Sequence, residues 1–204
     1  MNANVHTPVG LATASGVAFL VPAMNGTDKI TLTLGLGCAV IGALIPDIDA
    51  NNDSKAKQEF RKVMSYLSIF SVATVSYAMH TGRLQEMTSN LMHSVHGVGA
   101  LLFLIACVVA YVSSHRTFTH WLLGLICFTV PFMMMTNFTL GFWFGVGVLS
   151  HQVLDMLDKR RITWLYPLPI NFTIYAFKAN GKVSKLFEFV STILACIFVF
   201  LLLQ

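Results

Sequence analysis

Seven apolar stretches recur along this chain, at roughly residues 8–24, 30–46, 62–79, 96–114, 120–135, 138–157 and 186–204. A membrane-spanning helix takes about 20 mostly apolar residues, fewer where neighbouring helices shelter its ends. The first stretch is rich in Gly, Ala and Thr and the fifth is short, whereas Leu186 to Gln204 is almost unbroken. Charged residues make up 11% of the chain, against about a quarter in soluble domains, and mean hydropathy is +0.70. No polar stretch is long enough for a second domain. The expected fold is therefore all-α: a polytopic membrane helix bundle of about seven transmembrane helices, forming a single domain over residues 1–204.

The loops sort by charge. If all seven stretches cross, one side receives Lys55, Lys57, Arg61, Lys62, Arg116, Lys159, Arg160, Arg161, Lys178, Lys182 and Lys185, and the other only Lys29 and Arg83. Eleven basic residues against two mark the first side as cytoplasmic. The N-terminus is then inside, and an even number of spans would break the sorting. The opening residues lack the basic region of a cleavable signal peptide, so the first helix itself supplies targeting. Net charge of +4 resides in loops and forms no nucleic-acid patch. Cys38, Cys107, Cys127 and Cys196 lie inside apolar runs without a C-x-x-C pair, and read as small buried hydrophobes rather than zinc ligands.

Ionisable groups at membrane depth are costly, and each needs an explanation. Four clusters stand at span ends: His6; Asp47 and Asp49 in Ile45-Pro46-Asp47-Ile48-Asp49; His115, Arg116 and His120; and His151 with Asp155. A topology deduced from Lys and Arg alone puts all four on the cytoplasmic side. His151 and Asp155 are four apart, so on a helix they share a face and can grip one ion. Pro46 favours a helix break that leaves Asp47 and Asp49 in an extended turn, where residues two apart project the same way. His115 and His120 would be about 140° apart on one helix, so His115 is expected at a loop end and His120 just inside the next helix. Imidazole with carboxylate suits zinc, manganese or iron, and this many donors would allow two ions.

Taken singly, each residue has a plainer reading. Asp47 or Asp49 caps a helix, His151 and Asp155 form a buried hydrogen-bonded couple, His6 is an N-terminal polar residue, and Arg116 anchors a loop. Together on one face they favour a metal. His93 and His96 have good helical ligand spacing too, but the charge count puts them, with His80, on the opposite face. Met133, Met134 and Met135 read as lipid- or core-facing.

In this order the clusters resemble the YdjM-like family of bacterial inner-membrane metal-dependent hydrolases. The resemblance rests on His6, Ile45-Pro46-Asp47-Ile48-Asp49, His115-Arg116-Thr117-Phe118-Thr119-His120 and His151-Gln152-Val153-Leu154-Asp155, with Trp164-Leu165-Tyr166-Pro167 like the family's Trp-Pro segment. It covers roughly residues 5 to 168, and the final span at 186–204 lies beyond it. The chain departs from the pattern at Val5, Ala50 and Thr117, and in having Asp158-Lys159-Arg160-Arg161 where a Pro/Gly turn is usual. More distantly the family is similar to the zinc-dependent phospholipase C and P1 nuclease group.

The resemblance implies a hydrolase of the bacterial inner membrane with a divalent metal, zinc above manganese or iron. The ligands would be His6, Asp47, Asp49, His115, His120, His151 and Asp155, with His6 alternatively a general base. Arg116 would hold a phosphate oxygen and Thr119 would orient a ligand. The expected partners are membrane lipids, with a lipid or membrane-associated phosphoester as substrate and no nucleic acid. Two rivals stand beside this reading: a transporter, which would spread polar groups through the bilayer depth, and a non-catalytic scaffold whose metal only ties helix ends together.

Overall fold

Backbone hydrogen bonds within lipid must be satisfied inside each segment, and the apolar stretches accordingly fold as helices. The computed structural model describes residues 3–21, 28–49, 93–114, 117–157 and 181–204, with isolated positions between 58 and 89 and between 164 and 168. Among these residues there are six α-helices, two 3-10 turns and no strand. The helices are α1 (Ala3–Leu20), α2 (Lys29–Leu44), α3 (Val95–Val112), α4 (Leu122–Met135), α5 (Phe138–Met156) and α6 (Lys182–Leu203). The 3-10 turns are Ile45–Asp49, directly after α2, and Phe118–His120, just before α4.

Short polar residues start the helices. The Asp28 carboxylate accepts from Thr31 N, Ser94 Oγ from Gly97 N and Asn137 Oδ1 from Leu140 N, each satisfying an amide that the first turn leaves unpaired. Six of the seven expected stretches are thereby matched by helices, and the expected span at 62–79 lies almost wholly outside the described residues.

The span count differs from expectation. Three described helices are long and apolar enough to cross a membrane: α2 with its turn (Lys29–Asp49), α3 and α6. The apolar parts of α1 (Val5–Leu20) and α4 (Leu122–Met135) are too short, and α5 carries polar residues at its end. α1 begins five residues earlier than expected and takes in Asn4, His6 and Thr7, so His6 sits inside the helix rather than ahead of it. The end of α5 carries His151, Gln152 and Asp155, and α4 has only 14 residues.

α2 packs most extensively on α5, α1 on α6, and α3 on α4. Small residues permit the closest of these approaches, as is usual between membrane helices. A Cβ at Gly147 of α5 would strike the Ala39 carbonyl of α2, and one at Gly42 of α2 would strike the Phe144 carbonyl of α5. Phe128, Phe132, Phe144, Val148 and Ile48 fill a core between α3, α4 and α5, with the Phe132 and Phe144 rings stacked 4.2 Å apart.

The helix ends sort into two sets. The start of α1, both 3-10 turns and the end of α5 meet at one end of the bundle. At the other, His96 Nδ1 bonds the Met134 carbonyl at 2.9 Å, and Lys29 Nζ donates to the Leu203 carbonyl at 2.7 Å.

Candidate metal centre

The i,i+4 spacing brings His151 and Asp155 to one face of α5, with Nε2 and Oδ2 3.7 Å apart. His151 Nδ1 donates to the Ala43 carbonyl at 2.7 Å. A carbonyl only accepts, so the proton is on Nδ1 and the Nε2 lone pair faces inward. His6, from the second turn of α1, stacks on His151 with ring centroids 3.6 Å apart and planes within 12°. Its Nε2 lies 3.4 Å from Asp155 Oδ1. Asp47 completes the group, its Oδ1 3.8 Å from His151 Nε2.

Asp49 takes a different direction. In an extended turn it would project with Asp47, but Ile45–Asp49 is a 3-10 turn, with about three residues per turn, so side chains two apart diverge by roughly 120°. Asp49 Oδ2 accepts from the Thr119 hydroxyl at 2.5 Å. That hydroxyl has one proton, so it accepts at 2.8 Å from His120 Nδ1. His120 Nε2 in turn donates to Asp155 Oδ2 at 2.9 Å. With both nitrogens donating, the His120 ring is charged. Burial opposes that charge, yet the hydrogen bond to Asp155 and the neighbouring Asp49 carboxylate prevail and push the imidazole up to about 9. His120 stands in the turn ahead of α4, not inside the helix as its spacing had implied.

Every one of these residues is buried: as whole residues His6, His120 and His151 are 0% exposed, Asp155 1%, Asp49 4% and Asp47 5%. Three carboxylates in one buried pocket must gain positive charge or take up protons, and a single charged imidazole leaves them short. His6 Nδ1 and Nε2 and His151 Nε2 have no hydrogen-bond partner among the described residues. A buried polar atom left unpaired costs about 1–3 kcal/mol, so the site as built from side chains alone is incomplete.

Geometry divides the expected ligands into two layers. His6, His151 and Asp155 each offer a donor atom within 4.8 Å of the others. Two donors on a tetrahedral zinc are roughly 3.3 Å apart for bonds of about 2.0–2.1 Å. The 3.4 Å from His6 to Asp155 and the 3.7 Å from His151 to Asp155 approach that figure. The 2.9 Å between His120 and Asp155 is a hydrogen bond instead. The residues therefore fit an ion between His6, His151 and Asp155, with Asp47 beside it and a layer of Asp49, Thr119 and His120 behind. His115 and Arg116 lie outside the described residues.

Two participants carried no signal in the sequence. The Ala43 carbonyl is a backbone acceptor, invisible in residue type. Gln152 sits inside the His-x-x-x-Asp segment at a position that spacing gave no reason to single out.

Thr119 is testable by itself. Thr119→Val keeps the shape and removes the hydroxyl that links Asp49 to the His120 Nδ1–H. The expected loss is about 1–3 kcal/mol in detergent unfolding, with Thr119→Ser close to wild type.

A family model described as "YdjM inner membrane protein" matches residues 1–204, including the final helix. Over 124 residues the chain is 26% identical to a protein of Bacillus subtilis (strain 168) described as "Uncharacterized protein YvsG", covering 60% of this chain and 78% of that protein. No solved structure matches the chain.

Proposed function

We propose, from the premise that the chain belongs to the YdjM inner membrane protein family, that this membrane protein is a metal-dependent hydrolase acting on a phosphoester of a lipid or membrane-associated substrate. The observation that carries the reading is the set of unpaired imidazole nitrogens facing Asp155 in a fully buried cluster. His6, His151 and Asp155 would hold a divalent ion, zinc before manganese or iron. Three protein donors with a further position left over is the pattern of catalytic rather than structural zinc. When bound, the ion would supply Lewis acidity and make a water acidic enough to act as nucleophile near neutral pH.

The chain's own residues supply the rest. Ala43 holds His151 in one tautomer, and His120 fixes the rotation of the Asp155 carboxylate. The Asp47 side chain is 8% exposed, against 0% for Asp49 and 1% for Asp155. It is the carboxylate best placed to take a proton arriving from an attacking water. Arg116 would grip a phosphate oxygen through its planar guanidinium. The eleven-to-two basic bias supports a cytoplasmic site. A seven-span arrangement is supported by its flanks, Asp49 at the site end and His96 at the other.

Complete burial favours one alternative, an ion that ties helix ends together without turnover. Turnover separates the two. Metal-loaded protein should hydrolyse some member of a panel of phospholipids and generic phosphodiesters. Asp47→Asn should keep its metal and lose roughly 100-fold or more in rate. A fully loaded protein inert across the panel would instead establish the structural tie.

A further inference from the structure

Gln152 follows His151 on α5 and is completely buried. Its Nε2 donates to two backbone carbonyls, those of Thr119 and Trp121, both at 3.0 Å. Its Oε1 accepts from the Trp164 indole at 3.0 Å. Both carbonyls only accept and the indole only donates, so the orientation of the amide is dictated by chemistry. The Leu122 amide donates to the Trp164 carbonyl at 2.9 Å and closes the ring of contacts. One side chain thus joins α5, the turn before α4 and the segment at Trp164.

The two carbonyls that Gln152 grips bracket His120. Between them lie the Thr119 hydroxyl and the His120 imidazole, the groups that hold Asp49 and Asp155. We infer that Gln152 is the positioning residue of the metal centre, clamping the Phe118–His120 turn so that His120 presents the Asp155 carboxylate to the ion. The inference rests on the metal reading above. Gln152 itself has both side-chain polar atoms engaged by Thr119, Trp121 and Trp164, and so acts through the turn.

Cobalt(II) titration of the purified full-length protein, followed by visible absorption, tests it. Gln152→Met keeps the length of the side chain and removes its hydrogen bonds. Gln152→Glu keeps the acceptor for Trp164 and loses both donations to the carbonyls. Both variants should bind cobalt about 10–100-fold more weakly than wild type, the usual cost of losing a partner behind a ligand, and should shift the ligand-field band. A role confined to stability would lower the unfolding midpoint and leave affinity and band in the folded protein unchanged. That result, with wild type binding normally, overturns the inference and spares the metal reading. Wild type with no cobalt band overturns the metal reading and this inference with it. Should both Gln152 variants fail to fold, Trp164→Phe decides, since it removes one donor and keeps an aromatic ring. Several-fold weaker binding supports the clamp, and unchanged affinity and band refute it.

Discussion

His151→Ala or Asp155→Ala should strip the purified protein of metal, lowering bound metal per chain from near one to background. The expected effect is large because each residue supplies one of the three donors that lie in close reach among the described residues. Removing one leaves two, and in His151→Ala the His6 ring also loses the imidazole it stacks on. His93→Ala is the control. Its Nδ1 bonds its own helix turn at the Ser89 carbonyl, at the bundle end away from the cluster, and it should keep its full metal content. Elemental analysis of the three variants checks this. Metal retained in both α5 variants would displace the site, and metal lost from His93→Ala would move it to the opposite end.

Gly147→Ala should be nearly as damaging by a purely steric route. An added Cβ meets the Ala39 carbonyl and the Ala43 amide of α2, backbone atoms that cannot rotate aside. The helices must separate, at a cost of about 3 kcal/mol or more. The α2–α5 contact also sets the distance from Asp47 to His151, and the Ala43 carbonyl on that same face fixes the His151 tautomer. Metal affinity should therefore fall along with stability. Gly37→Ala provides the contrast, because a Cβ there meets nothing within 4 Å. It should be neutral or stabilising by up to about 1 kcal/mol through helix propensity. Unfolding of the two variants in mixed detergent gives the comparison.

Much of this arrangement could be read from residue order alone. Hydropathy located six helices to within about five residues, and three of them start at a polar cap, Asp28, Ser94 or Asn137. Lys and Arg counts separated the His6, Asp47, His120 and His151 clusters from His93 and His96, and the helix ends fall into those same two sets. The pairing of His151 with Asp155 followed from helical periodicity.

What escaped was local geometry. Pro46 does end α2, but the amides after it remain free to bond, and the chain tightens into a 3-10 turn instead of extending. Asp47 and Asp49 consequently part company, one toward His151 and the other toward Thr119. His6 was expected ahead of a first span beginning near residue 8, yet α1 starts at Ala3 and takes it in. The roles of the Ala43 carbonyl and Gln152 depend on which backbone atoms meet across helices, and spacing along one strand of sequence does not encode that.

X-ray absorption at the metal edge of the purified wild-type protein tests the central claim most directly. The account predicts a bound divalent metal with two imidazoles and carboxylate oxygen at about 2.0–2.1 Å, and no sulfur. Sulfur scattering near about 2.3 Å would contradict it by pointing to cysteine ligands, as would an ion with no imidazole in its shell.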